Sequence, residues 1–226
     1  FSEKFFYLPV TRLLFTEPTP SPDVSALPSL RSGHITLGSF QPPAKITDAV
    51  LTAWSKIMHE LPSATLRCQS SALSHATQKS FFAQRLARYG IESDRVNLIG
   101  GQNRFDYFSS HAAVDLVLDT FPYPGGTTTC DALWMGVPTV TLRGDSLLSR
   151  QGASLLNAAG LADWIAPNVD AYVALAIDKA RSIDDLAALR STLRAKVRDS
   201  PLMDAPTFVD ALQCAFETMW QSYVSS

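Results

Sequence analysis

The sequence predicts an α/β domain: a parallel sheet, Rossmann-like in layout, with helices on both faces. Three observations carry that expectation. From Ile35 onward, short apolar segments of strand length alternate with longer segments of helical spacing. The strand-like segments are apolar and short, as strands buried between two helix layers are. Of the 226 residues, 46% are apolar and 18% charged, enough to build a sizeable core. In order, Ile35-Thr36-Leu37-Gly38-Ser39-Phe40 reads as the first strand. Ile46, Val50, Trp54, Ile57 and Leu61 then mark one face of a helix over residues 46–61. Ala64–Cys68 is the second strand, Lys79–Tyr89 a helix that Gly90 ends, and Val96–Ile99 the third strand. Val114–Leu118 and Thr139–Leu142 are the fourth and fifth strands, each with a helix after it. Met135-Gly136-Val137-Pro138 supplies the stop between them. The tail is helical over Tyr172–Arg181, Leu186–Arg198 and Thr207–Tyr223. Trp54, Trp134 and Trp220 sit at helical spacing among aliphatics and are expected in the core.

Residues 1–33 break this pattern. Phe5-Phe6-Tyr7-Leu8-Pro9 and Leu13-Leu14-Phe15 are apolar, but Glu17-Pro18-Thr19-Pro20-Ser21-Pro22 cannot hold regular pairing. The segment reads as a connector from a preceding domain, leaving residues 34–226 as the folded unit. A chain that starts at Phe1 rather than Met is expected to be a piece of a longer one. The net charge of -2 implies no basic face for nucleic acid. Cys68, Cys130 and Cys214 lack metal-site spacing and read as reduced thiols of a cytoplasmic protein. No apolar run reaches the length of a membrane helix, so no membrane partner is expected.

The chemistry concentrates in one turn. Val114–Leu118 runs through Asp119-Thr120-Phe121-Pro122-Tyr123-Pro124 into Gly125-Gly126-Thr127-Thr128-Thr129-Cys130-Asp131 and the helical Ala132-Leu133-Trp134. Glycines followed by hydroxyl residues at a strand-to-helix turn gather backbone N–H groups where the helix dipole is positive, which favours a phosphate. Asp131 lies four residues past Thr127, placed to accept from a ribose hydroxyl. An ordinary β–loop–α connection with Thr as N-cap fits the same local chemistry. Ligands of an open parallel sheet sit outside the carboxyl ends of its strands. Gln41 and Lys45 follow the first strand, Gly100–Arg104 the third, the Gly-Thr turn the fourth, and Gly144-Asp145-Ser146 with Ser149-Arg150 the fifth. Neither G-x-G-x-x-G nor G-x-x-x-x-G-K-[ST] occurs, and no D-x-D pair offers a metal site. A bound diphosphate must then be neutralised by amides, hydroxyls and the cations Lys45 and Arg104. Either cation alone also reads as a solvated surface residue, and Asp131 as a complement to the helix dipole. The four histidines form no catalytic pattern.

The same residues resemble the O-linked N-acetylglucosamine transferase family in its bacterial and SPINDLY-type members. The resemblance rests on Leu118–Tyr123 with the Gly-Gly-Thr-Thr-Thr-Cys-Asp-Ala-Leu-Trp-Met-Gly-Val-Pro stretch and on Gly38-Ser39-Phe40-Gln41 with Lys45-Ile46. Gly144–Arg150, Ser200-Pro201-Leu202 with Phe208 and Met219-Trp220, and Ser2–Pro9 extend it over nearly the whole chain. It implies the C-terminal lobe of a two-lobed GT-B glycosyltransferase. That lobe would hold UDP-N-acetylglucosamine with no metal and no cofactor, and pass the sugar with inversion to a protein Ser or Thr hydroxyl. By the same resemblance, Thr127 and Thr128, with Gly125 and Gly126, hold the diphosphate. Lys45 stabilises the leaving group beside Gln41, and Asp131 binds ribose. Gln102, Arg104 and Tyr107, in the stretch 102–107, hold the uracil. The general base and the protein acceptor groove belong to a preceding catalytic lobe and helical repeats, so this chain alone is expected to be inactive. Gly126 stands where animal members carry histidine, and Ser110 where an arginine aligns, which brings the chain closer to the SPINDLY-type and bacterial members. A relative using GDP-fucose or UDP-glucose, or a non-catalytic nucleotide-binding module, are the alternatives. A dehydrogenase lacks its dinucleotide fingerprint.

Overall fold

The computed structural model describes residues 5–225, so Ser2, Glu3 and Lys4 of the resemblance lie outside the described residues. Six strands form the sheet: β1 (Thr36–Ser39), β2 (Thr65–Gln69), β3 (Val96–Ile99), β4 (Leu116–Leu118), β5 (Thr139–Leu142) and β6 (Ile165–Ala166). β3 and β5 have the bounds read from sequence. β6 was not expected, because two residues carry no periodicity of their own. The helices are a single turn α1 (Ser29–Ser32), then α2 (Asp48–Glu60), α3 (Ala76–Arg88), α4 (Arg104–Ser109), α5 (Thr127–Trp134), α6 (Gln151–Ala158), α7 (Val169–Arg181), α8 (Ile183–Arg198) and α9 (Ala205–Val224). Side-chain caps set several of their starts. Thr47 Oγ1 accepts from Val50 N at 3.3 Å ahead of α2, and Asn168 Oδ1 accepts from Ala171 N at 2.8 Å ahead of α7. That cap starts α7 three residues before the predicted Tyr172. Asn103 Oδ1 accepts from Asp106 N at 3.0 Å and begins α4, a six-residue helix too short for a periodic signal.

All pairs are parallel, in the order β3-β2-β1-β4-β5-β6. The chain enters at the centre, winds outward to β3, and returns to lay β4 beside β1, with Leu37 opposite Leu116 and Gly38 opposite Val117. The winding therefore reverses between β1 and β4, and the crevice outside their carboxyl ends is where such sheets bind ligands. The main core spans the sheet and the helices over it, with Leu37, Leu66, Leu116, Val140, Trp54 and Trp134 fully buried, and a smaller cluster joins Phe40, Val114, Val117, Ala132 and Val137. α2 packs on α7 and α5 on α8.

The Pro-rich stretch holds no strand but lies on the domain. Phe15 N donates to Leu202 O at 2.9 Å, Trp134 Nε1 to Ser21 Oγ at 3.1 Å, and Arg194 Nη2 to Pro22 O at 2.8 Å. Arg190, 1% exposed, ties it down further, donating to Ser25 O at 2.8 Å, Val114 O at 2.7 Å and His111 O at 3.1 Å. Phe5, Phe6, Tyr7 and Val10 remain exposed. One core assignment is corrected. Trp54 and Trp134 are buried, but Trp220 is 64% exposed on α9, whose single buried residue is Ala215. Helical spacing identifies an apolar face, not whether anything within the chain covers it.

Candidate functional site

The Gly-Thr turn is held by a carboxylate that the sequence reading passed over. Asp119 closes β4 in full burial. Its Oδ1 accepts from Thr120 N at 2.9 Å and Gly125 N at 2.7 Å, and its Oδ2 from the Thr141 hydroxyl at 2.7 Å. One side chain thus joins both ends of the loop 120–125 and fastens them to β5. Burial pushes its pKa up to about 6, against these donors and the nearby Lys45 charge. Gln151, also missed, buttresses the turn from α6. Its Nε2 donates to Gly125 O at 3.1 Å, and its Oε1 accepts from the Arg12 guanidinium. A polar residue closing an otherwise apolar strand was the available signal for Asp119.

Gly126, not a threonine, is the N-cap of α5, and no side chain caps that end. The ordinary reading with Thr as N-cap is therefore corrected. Thr129 and Cys130 return their amides to Gly126 O at 3.0 and 3.1 Å. Among the described residues the Thr127 and Thr128 amides have no such acceptor, so they face out at the positive end of the helix. A Cβ on Gly125 would overlap the Thr129 hydroxyl and lie 2.5 Å from Gln41 Nε2 and 2.8 Å from Thr128 Oγ1. Only a glycine admits this close approach.

Gln41 and Lys45 reach the turn from the adjacent end of β1. Gln41, 4% exposed, donates from Nε2 to Thr128 Oγ1 at 2.5 Å. Lys45 Nζ donates to Gln41 Oε1 at 3.1 Å and Pro124 O at 3.4 Å, and lies 3.8 Å from the Tyr123 ring centroid. Lys45 closes a 3-10 turn, Pro43–Lys45, ahead of α2. Burial lowers its pKa, and Asp119 opposes that shift.

Of the remaining candidates, Gln102 and Tyr107 line a neighbouring cavity. It measures about 320 Å³ and is bounded by Phe40 and Pro42 after β1, Gln69 at the end of β2 with Ser70 and Ser71 after it, Gly101 and Gln102 after β3, and Tyr107 on α4. Phe40 meets Tyr107 edge to face at 5.7 Å and stacks on buried His111 at 4.0 Å. Asp131, 4% exposed, lies in the second turn of α5. Burial raises its pKa to about 6; Arg104, and the Tyr107 hydroxyl beside it, oppose the rise. Asp131 Oδ1 and the Tyr107 hydroxyl are both buried without a hydrogen-bond partner. Exposed Arg104 sits over the Phe108 ring at 4.9 Å. The predicted residues thus form two groups: Gln41, Lys45, Gly125 and Thr128 meet at the turn that Gly126 and Thr127 continue, while Gln102 and Tyr107 line the cavity, with Asp131 beside Tyr107 and Arg104 near Asp131. A larger cavity, about 620 Å³ between α3 and the outer edge of β3, contains none of them.

Comparison with known proteins gives the following. Residues 27–212 match the description Glycosyl transferase family 41. A probable UDP-N-acetylglucosamine–peptide N-acetylglucosaminyltransferase SPINDLY of Eustoma exaltatum subsp. russellianum is 37% identical over 98% of this chain and 24% of its own length. Its Arabidopsis thaliana counterpart is 38% identical over 91% of this chain and 23% of its own. The chain thus spans about a quarter of the length of these relatives. Among solved structures, a Thermobaculum terrenum O-GlcNAc transferase mutant superposes with a TM-score of 0.88 at 31% identity, covering 97% of this chain and 42% of that one. Anabaena HepE in complex with UDP and glucose shares the fold, with a TM-score of 0.56 at 19% identity over 89% of this chain and 53% of that one.

Proposed function

The chain belongs to glycosyl transferase family 41, with the α/β fold of a GT-B lobe, and from that premise we propose that it is the donor-binding half of a protein O-glycosyltransferase. The donor is UDP-N-acetylglucosamine and the acceptor a Ser or Thr hydroxyl of a protein. The observation that carries this reading is the meeting of Lys45, Gln41 and Thr128 in one hydrogen-bonded chain at the uncapped start of α5. An ammonium, a hydroxyl and two outward amides at one point form a receptor for a diphosphate.

In the reaction the acceptor oxygen bonds to the anomeric carbon as the bond to the diphosphate oxygen breaks, with inversion. The hydroxyl proton passes to a base supplied outside this chain, and the diphosphate leaves with the negative charge. Lys45 meets that charge. A charge-assisted hydrogen bond contributes roughly 1.5–3 kcal/mol, against roughly 0.3–1 kcal/mol for a helix terminus. Lys45 therefore dominates, while Thr127, Thr128 and the glycines set geometry. These groups supply the positive charge from the protein itself, which supports a metal-independent reaction. Asp131 accepts from the ribose hydroxyls, and Gln102, Arg104 and Tyr107 hold the base. The protein acceptor engages the rest of the enzyme.

Calorimetric titration of the full-length protein with UDP, GDP and ADP, without added metal, tests the reading. Selective UDP binding, lost in Thr128→Ala and Asp131→Ala, supports it. A preference for GDP transfers the function to a relative with a guanine-nucleotide donor, and a folded protein that binds none of the three overturns it.

A further inference from the structure

Gln69 ends β2 at 3% exposure and has no place in the assignments above, yet it borders the cavity beside Gln102. Arg67, two residues earlier on the same face of the strand, donates from Nη2 to Gln69 Oε1 at 3.2 Å. Gln69 Nε2 in turn donates to Gln102 Oε1 at 2.7 Å. A guanidinium has donors and no acceptor, so the Gln69 atom facing it must be the carbonyl oxygen. That choice fixes the next: the Gln69 NH₂ group points at Gln102, whose oxygen must answer it. Among the described residues nothing accepts from Gln102 Nε2, which is left with its two hydrogens at the cavity.

We propose that Arg67 and Gln69 are positioning residues that lock the Gln102 amide with its NH₂ group towards the nucleobase, so that the site selects bases carrying a carbonyl over those carrying an exocyclic amine. This rests on the donor-site reading. Uracil, and a 6-oxopurine such as hypoxanthine, present an oxygen that takes the Gln102 hydrogen bond. Cytosine and adenine place an NH₂ group at the same ring position, where donor meets donor. The relay cannot relax by turning Gln102 over, because its oxygen would then be exchanged for an NH₂ group facing the Gln69 donor. Leaving both donors unmet costs a further factor.

The test measures binding of UDP against CDP, and of IDP against ADP, to the full-length protein. Each pair keeps ring size and diphosphate while exchanging carbonyl for amine. The wild type is expected to prefer UDP and IDP by about ten- to a hundredfold. In Gln69→Glu the new carboxylate still accepts from Arg67 but has only acceptors for Gln102. The Gln102 amide then turns, its oxygen faces the base, and the preference reverses towards CDP and ADP. Gln69→Met removes the relay without a charge; it is expected to bring both ratios near one in a protein that still folds, at a lowered melting temperature because Arg67 loses its acceptor, and it carries the test if the glutamate variant does not fold. Equal binding of all four nucleotides by the wild type overturns the inference and leaves the donor site standing, as do ratios unchanged in a folded variant. A folded wild type that binds none of the four overturns the donor-site reading and this inference together.

Discussion

Lys45 is half-buried, bonded to Gln41 and set over the Tyr123 ring, so its ammonium is held in place before any ligand arrives. Lys45→Ala in the full-length enzyme should lower turnover by about 10²–10³, the loss typical of removing one donor from developing negative charge. Its melting temperature should stay nearly unchanged, because the side chain closes no part of the core; near-normal turnover would end the leaving-group role. Asp131 gives a pH signature. Its folded pKa, raised to about 6, means the protonated form is the one that folding favours. That stability is fully present below the unfolded value and is lost as pH rises through 6. The melting temperature of Asp131→Asn should therefore gain on the wild type between pH 4 and pH 7. Nucleotide affinity should move the opposite way, because only the carboxylate accepts from ribose on both oxygens. Wild-type binding should strengthen from pH 5 to pH 7 by more than the variant's does, and parallel titrations of the two would refute the assignment. Lys45, Thr128 and Asp131 were legible in sequence as candidates, Lys45 because it follows the first strand and Thr128 and Asp131 because they follow the glycines of the strand-to-helix turn. Asp119 and Gln69 were not, because their importance lies in what they face.

At the scale of elements, the loop between β4 and α5 works as a unit. Asp119 grips it at Thr120 and Gly125, Thr141 grips Asp119, and Gln151 grips the Gly125 carbonyl. Gly125→Ala forces a methyl into Gln41, Thr128 and Thr129, so the turn must shift. The expected cost is about 1–3 kcal/mol of stability, with a larger proportional loss of nucleotide affinity because the outward amides move. Calorimetry beside a thermal melt checks both, and unaltered binding would mean that the turn does not set the anion site. The element boundaries teach the same lesson. Strands β3 and β5 were readable to the residue from apolar runs between clear stops, and Gly136 ends α5 in the left-handed conformation at φ 75°, as Met135-Gly136-Val137-Pro138 suggested. α4 and β6 were not readable, because one is begun by a cap and the other by pairing with β5.

At the scale of the whole molecule, Arg190 carries a charge into the interior and ties Ser25, just after the Pro-rich stretch, to Val114 and His111. Burial lowers its pKa to about 10, with Asp115 opposing. Asp115 itself accepts from Ser29 N at 3.0 Å and Thr36 N at 2.7 Å, tying α1 to the start of β1. Arg190→Met should cost about 1–3 kcal/mol, because it leaves the buried Ser25, Val114 and His111 carbonyls without their donor. Denaturant unfolding would show this, and a loss under 1 kcal/mol would mean that the segment is held by other contacts. By itself the sequence determined the alternation of strand and helix, the parallel sheet and the place of the turn rich in glycine and threonine. Each follows from periodicity, glycine and proline punctuation, or residue types within a few positions. Only the tertiary structure decided the strand order that puts β1 beside β4, the exposure of Trp220, the grip of Asp119 on the turn and the relay from Arg67 to Gln102. Those depend on which distant segments meet, and a hydrogen bond's direction is set by the partner it finds there.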